Sequence, residues 1–158
     1  MSLLEVSPRS WFSSRDYNIA HNGAAVGEIH CAWAREQGKI TIGPANYTAS
    51  RDGLTSGAFF LEANGTRLIS ADKPSALHRS FTMQIGSKAY TLKAASAFGR
   101  AFVLTEGERD VGSIAPQGLF GRKTKVDLPD DLALEVKGFL IWLVILMWKR
   151  QSKAVNSK

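Results

Sequence analysis

The sequence predicts a mainly β protein: an antiparallel barrel of about twelve strands, closed around a hydrophobic helix near the C-terminus. Three observations carry that expectation. Residues 11–126 run in short segments of alternating apolar and polar side chains broken by turn residues. Several breaks are explicit hairpin signals, namely Asn22-Gly23, Asn64-Gly65 and Gly86-Ser87. After Pro129 the pattern changes to a continuous apolar run, "GFLIWLVILMWKR" over residues 138–150.

Taken in order, strands are expected near 9–13, 17–20, 24–33, 39–43, 46–50, 57–62, 66–72, 80–85, 88–94, 100–104, 109–115 and 122–127, each boundary carrying a spread of about 2–4 residues. Asn and Gly supply the positive φ that tight hairpins require, and strands joined so tightly must be antiparallel neighbours. A meander therefore fits better than a βαβ fold.

The helix is expected over about 129–150. Pro129 lacks an N–H that a first turn would leave unpaired anyway, and Asp130 and Asp131 suit the positive end of the dipole. Lys149 and Arg150 suit the other end. The 11 uncharged residues of 138–148 span only about 16 Å as a helix, against a hydrocarbon core of about 30 Å. Burial is favoured over a membrane span, and the segment has no polar face, so it must be enclosed on every side. A closed sheet of about twelve strands has a lumen too wide for its own side chains to fill. Phe139, Leu140, Trp142, Leu143, Leu146 and Trp148 are the expected plug. One domain over 10–150 follows, with 1–9 and 151–158 as flexible termini.

Composition narrows the function. The chain of 158 residues carries 20 Lys and Arg against 14 Asp and Glu, a formal net charge of +6, a modest excess that favours acidic partners and fits a soluble basic protein without a polyanion partner at least as well. Nucleic acid is the weakest of these, because no zinc finger, helix-turn-helix or aromatic-plus-basic ribonucleoprotein pattern is present. Cys31 is the single cysteine, which rules out an intramolecular disulfide and a cysteine-based metal site. The first residues show no signal-peptide pattern, so a cytoplasmic setting is expected and the sequons at Asn46 and Asn64 read as turn chemistry. His21, His30 and His78 are scattered, and His30 and Cys31, adjacent in one strand, point to opposite sides and cannot pair as base and nucleophile. Glu106 and Glu108 read as solvating a hairpin. With no G-x-S-x-G and no glycine-rich phosphate loop opening a helix, neither an enzyme nor a cofactor or metal is expected.

The stretch "AFVLTEGERDVGSIAP", the basic strand after it and "LPDDLALEVKGFLIWLVILMWKR" resemble the tubby-like superfamily: tubby C-terminal domains, phospholipid scramblases and plant LURP-one-related proteins. The resemblance covers about residues 10–150 and rests on overall pattern. It implies a twelve-stranded barrel around a hydrophobic helix, in a small stand-alone member. It also implies phosphoinositide head-group binding by basic side chains outside the barrel. Scramblase-like features are missing, since Cys31 stands alone where a cysteine-rich stretch would be expected and no D-x-[DN]-x-[DN]-G calcium loop occurs.

Head-group candidates are Arg122, Lys123 and Lys125, with Arg79, Lys149 and Arg150 as further contributors. Alternation places Lys123 and Lys125 on one face and Arg122 on the other. The expected function is a monomeric, non-enzymatic module, peripheral at an anionic membrane. The alternatives are a soluble structural or regulatory interaction platform without a lipid ligand, and a tail-anchored protein that inserts helix 138–148.

Overall fold

Alternating burial is the local rule from which the architecture grows. In β4 (Gln37–Ile42) Gly38 and Ile40 face inward while Gln37 and Lys39 face out, and in β8 (Ser80–Ile85) Phe81 and Met83 are buried between exposed Thr82 and Gln84. The computed structural model describes residues 3–10, 15–53, 57–75, 78–118 and 122–156, without the side chains of Val155 and Asn156. The other strands are β1 (Leu3–Pro8), β2 (Asp16–His21), β3 (Ala24–Ala32), β5 (Ala45–Arg51), β6 (Ala58–Ala63), β7 (Thr66–Asp72), β9 (Lys88–Ala94), β10 (Phe102–Glu106), β11 (Arg109–Pro116) and β12 (Thr124–Asp127). Each pairs antiparallel with its neighbours in sequence, and β1 closes the barrel on β12 through the register Leu3↔Asp127 to Val6↔Thr124. The predicted turns take the strained backbone they require: Asn22 and Gly23 have φ of 51° and 81°, Asn64 and Gly65 of 52° and 79°.

Two expectations about the ends are corrected. Within the flexible terminus expected over 1–9, residues 3–8 instead form β1. Leu4 and Val6 bury their side chains, and the backbone is held between β2 and β12. The described part of the strand read at 9–13 is not a strand. Arg9 and Ser10 form a bend, and residues 11–13 lie outside the described residues. The helix α1 (Leu134–Asn156) also starts later and ends later than 129–150. Pro129 and the two aspartates form a turn ahead of it, closed by the Leu132 N–H donating to the Pro129 carbonyl at 3.1 Å. Residues 151–156 are helical rather than a flexible tail.

Helix α1 threads the barrel. Phe139, Leu140, Trp142, Leu143 and Leu146 are buried as expected, and Trp142 packs edge-on against Phe59 and stacks on Phe139 with centroids 6.2 Å apart. Trp148 departs from expectation: it is half-buried at the barrel mouth, where its indole N–H donates to the Arg100 carbonyl at 2.8 Å. The helix approaches β4 most closely, and two glycines make that possible. A Cβ on Gly138 would stand 2.9 Å from Ile40 Cγ2, and one on Gly38 would overlap the Trp142 indole. No helix among the described residues is long and apolar enough to cross a membrane.

Strand direction makes the two ends of the barrel unlike. At one, the turn end, five connections have two residues each: 22–23, 43–44, 64–65, 86–87 and 107–108. The longer connections, 9–15, 33–36, 52–57, 73–79, 95–101 and 117–123, all lie at the other, together with the last turns of α1. This second end is the loop end.

Candidate anion-binding cleft at the loop end

Charge follows the same polarity. Arg9, Arg15, Arg35, Lys73, Arg79, Arg100, Arg122 and Lys123 fall in the connections of the loop end, and Lys149, Arg150 and Lys153 on the helix beside them. The carboxylates there are Asp16, Glu36, Asp52 and Asp72. At the turn end Glu62, Glu106, Glu108, Asp110, Asp127, Asp130, Asp131 and Glu135 stand against Arg67, Lys88, Arg109 and Lys137. The net charge of the chain is therefore separated along the barrel axis, positive where the loops are long.

Several of these cations already have structural duties. Arg150 meets Glu36 in a two-point pair, Nε to Oε2 and Nη2 to Oε1, both 2.7 Å, while Arg51 Nη1 reaches the same carboxylate at 2.9 Å. Burial alone would raise the Glu36 carboxyl, but the hydrogen bonds and charges of Arg150, then those of Arg51, outweigh it and hold it below the ordinary range. Arg79 donates to the carbonyls of Gly99, Ser96 and Ala97 at 2.8, 2.9 and 3.0 Å, and to Gln151 Oε1 at 3.4 Å. Lys149 and Lys153 complement the negative end of the helix dipole. Arg79 and Arg150 thus brace the mouth of the barrel, and the six sequence candidates do not form one patch.

What the fold does bring together is a cleft of about 230 Å³ lined by Pro8, Tyr17, Arg100, Pro116, Arg122, Lys123, Thr124 and Trp148. Its three cations come from two connections far apart in sequence. Residue 100 lies in the β9–β10 connection, and residues 122–123 lead into β12. The Arg100 guanidinium lies 4.5 Å from the Trp148 ring centroid, so the tryptophan face fixes its position from behind. Lys123 Nζ is 3.5 Å from Glu5 Oε1 across the β1–β12 seam, an exposed pair worth little in water. Tyr17 places its phenol in the wall. Burial pushes its pKa up to about 12, with Cys31 adding to the shift and the charges of Arg122 and Arg100 opposing it. It stays a neutral hydroxyl that can donate a hydrogen bond. Lys125 sits outward on β12, opposite Glu5 and Ala115 in register, on the barrel wall and not in the cleft.

The cleft is smaller than the roughly 300–1,000 Å³ of pockets for drug-sized molecules. With two guanidiniums, an ammonium and a phenol, it suits a phosphate or a similarly small anion. Arg100 escaped the sequence reading because it is a lone basic residue in a small-residue loop, and only barrel closure sets it beside residues 122–123. One carboxylate–histidine contact was equally hidden: Asp16 Oδ1 lies 2.5 Å from His30 Nδ1, linking β2 to β3 on the outer wall. Cys31 faces inward, as alternation predicts. Burial, then the Asp16 charge, pushes its thiol up to about 12, so it is a protonated core residue at neutral pH. Compared with protein-family models, curated proteins and solved structures, the chain finds no match in any of the three.

Proposed function

We propose that this chain is a non-enzymatic binding module that docks loop end first on anionic phospholipid surfaces, peripheral to a cytoplasmic membrane face. The observation that carries this reading is the convergence of Arg100, Arg122 and Lys123 on one small cleft, at the positive end of a barrel whose opposite end is acidic. Field and cleft act together: the charge separation orients the molecule toward a negative surface, and the cleft then takes one phosphate. The tubby-like pattern read from the sequence points to the same ligand class.

Flotation with vesicles tests it. The protein is expected to float with phosphatidylserine- or phosphoinositide-containing vesicles at low salt, to stay behind with pure phosphatidylcholine, and to be released at high salt as the charges are screened. Each basic residue near such a surface contributes about 1 kcal/mol. Arg122→Glu combined with Lys123→Glu should therefore weaken binding by at least about tenfold, while Lys88→Glu at the turn end changes little. Absence of flotation at any salt would leave the barrel as a protein-interaction platform.

A further inference from the structure

We propose that Phe98 is an interfacial anchor, carried by the 95–101 loop into the boundary between head groups and acyl chains while Arg100 in the same loop meets lipid phosphate. The inference rests on the lipid-surface reading above and adds to it a residue, an apolar contact and an orientation.

Phe98 is 94% exposed, whereas the other exposed large hydrophobic residues among the described ones, Leu68 and Leu3, stand at 46% and 43%. Nearly the whole ring is therefore available for burial against a partner surface. The loop that presents it is well tied. The Arg79 guanidinium gathers the carbonyls of Ser96, Ala97 and Gly99, the Gly99 N–H donates to Ser96 Oγ at 3.0 Å, and the Ala95 N–H to the Ala101 carbonyl at 2.9 Å. The loop's polar backbone is thereby turned inward onto a cation. Its ordering cost falls at folding and not at docking.

The electrostatic setting selects the partner. No aspartate or glutamate occurs between Asp72 and Glu106, and within that stretch Lys73, Arg79, Lys93 and Arg100 stand toward the loop end. Beside the loop opens a cleft of about 620 Å³ lined by Ser75, His78, Lys93 and Ser96 among others. An aromatic tip surrounded by cations and hydroxyls matches a surface that is anionic outside and apolar a few ångströms below.

The test uses the full chain on vesicles of phosphatidylserine in phosphatidylcholine. Phe98→Ser is expected to keep the melting temperature, since the side chain is exposed, and to lose roughly tenfold in vesicle partition. A Phe98→Cys variant can be labelled with an environment-sensitive dye at its introduced thiol, because Cys31 is buried. Its emission should shift to the blue on vesicles and be quenched by brominated acyl chains. If the wild-type chain floats while Phe98→Ser floats equally and the dye neither shifts nor is quenched, the anchor is overturned and the basic-surface reading stands. If the wild-type chain does not float at low salt, both fall, and Phe98 is left to a protein partner.

Discussion

Trp142 is the largest fully buried side chain of the barrel, yet its indole N–H has no hydrogen-bond partner among the described residues. It faces Gly38, where a Cβ would overlap Nε1 and Cδ1. A buried unpaired donor costs about 1–3 kcal/mol, so Trp142→Phe should lose packing but relieve that penalty. Its expected net destabilisation is below about 1.5 kcal/mol, against about 3–5 kcal/mol for a truncation to Ala. Gly38→Ala should cost about 1–3 kcal/mol by overpacking. In the double variant the smaller ring frees the space that the methyl needs, so the two losses should sum to more than the pair shows. Urea unfolding of the four proteins reads that coupling directly. At this scale the sequence announced the tryptophan as a plug but not the glycine that faces it. Gly38 reads as one more loosely placed glycine until the barrel has closed.

At the scale of elements, Glu36 joins the β3–β4 turn to the end of α1. It holds a left-handed backbone conformation, φ 51°, unusual outside glycine, asparagine and aspartate, and it accepts from Arg150 and Arg51. Its carboxyl pKa is lowered by folding, so its contribution to stability is present above the unfolded value of about 4.3 and is lost as pH falls through the lower folded value. Glu36→Gln should therefore destabilise by about 1–3 kcal/mol at pH 7. The gap to wild type should close on acidification below about pH 4. Denaturant midpoints at the two pH values check the sign. No local signal marks this contact, because Glu36 and Arg150 are 114 residues apart. The elements themselves were legible: asparagine–glycine pairs fixed the hairpins, and a helix without a polar face had to be interior. Their ends were less so. Whether Leu4 and Val6 form a strand is decided by β12, which supplies the edge they pair with. Pro129 and its aspartates suit a first helical turn and a tight turn before one equally well, and the reversal into the barrel favours the second.

Over the whole molecule, twelve strands and one helix share a single core, so neither sheet nor helix has a buried interior alone. Trp142→Arg would place a charge with no partner at its centre. The expected product is an unfolded or aggregated chain by circular dichroism and size exclusion, and a folded soluble barrel would show that the helix is dispensable. The cleft cations show the limit of sequence reading at this scale. Arg122 and Lys123 were visible as a cluster, whereas Arg100 joins them only through the strand order around the barrel.

The pairing of β1 with β12 also sets the order of events during synthesis. Strand β1 must wait for β12, the last of the barrel, since the ring closes only once residues 124–127 are available, and its filling arrives later still with residues 134–156. Hairpins can form as they emerge, but each leaves an unpaired edge and an uncovered apolar face until then. Closing the ring is consequently a late step, because it rests on a pairing that must bring together the first and last strands of the barrel across nearly the whole sequence. Through that interval the same alternating strands that specify the barrel depend on dilution or chaperones to stay apart.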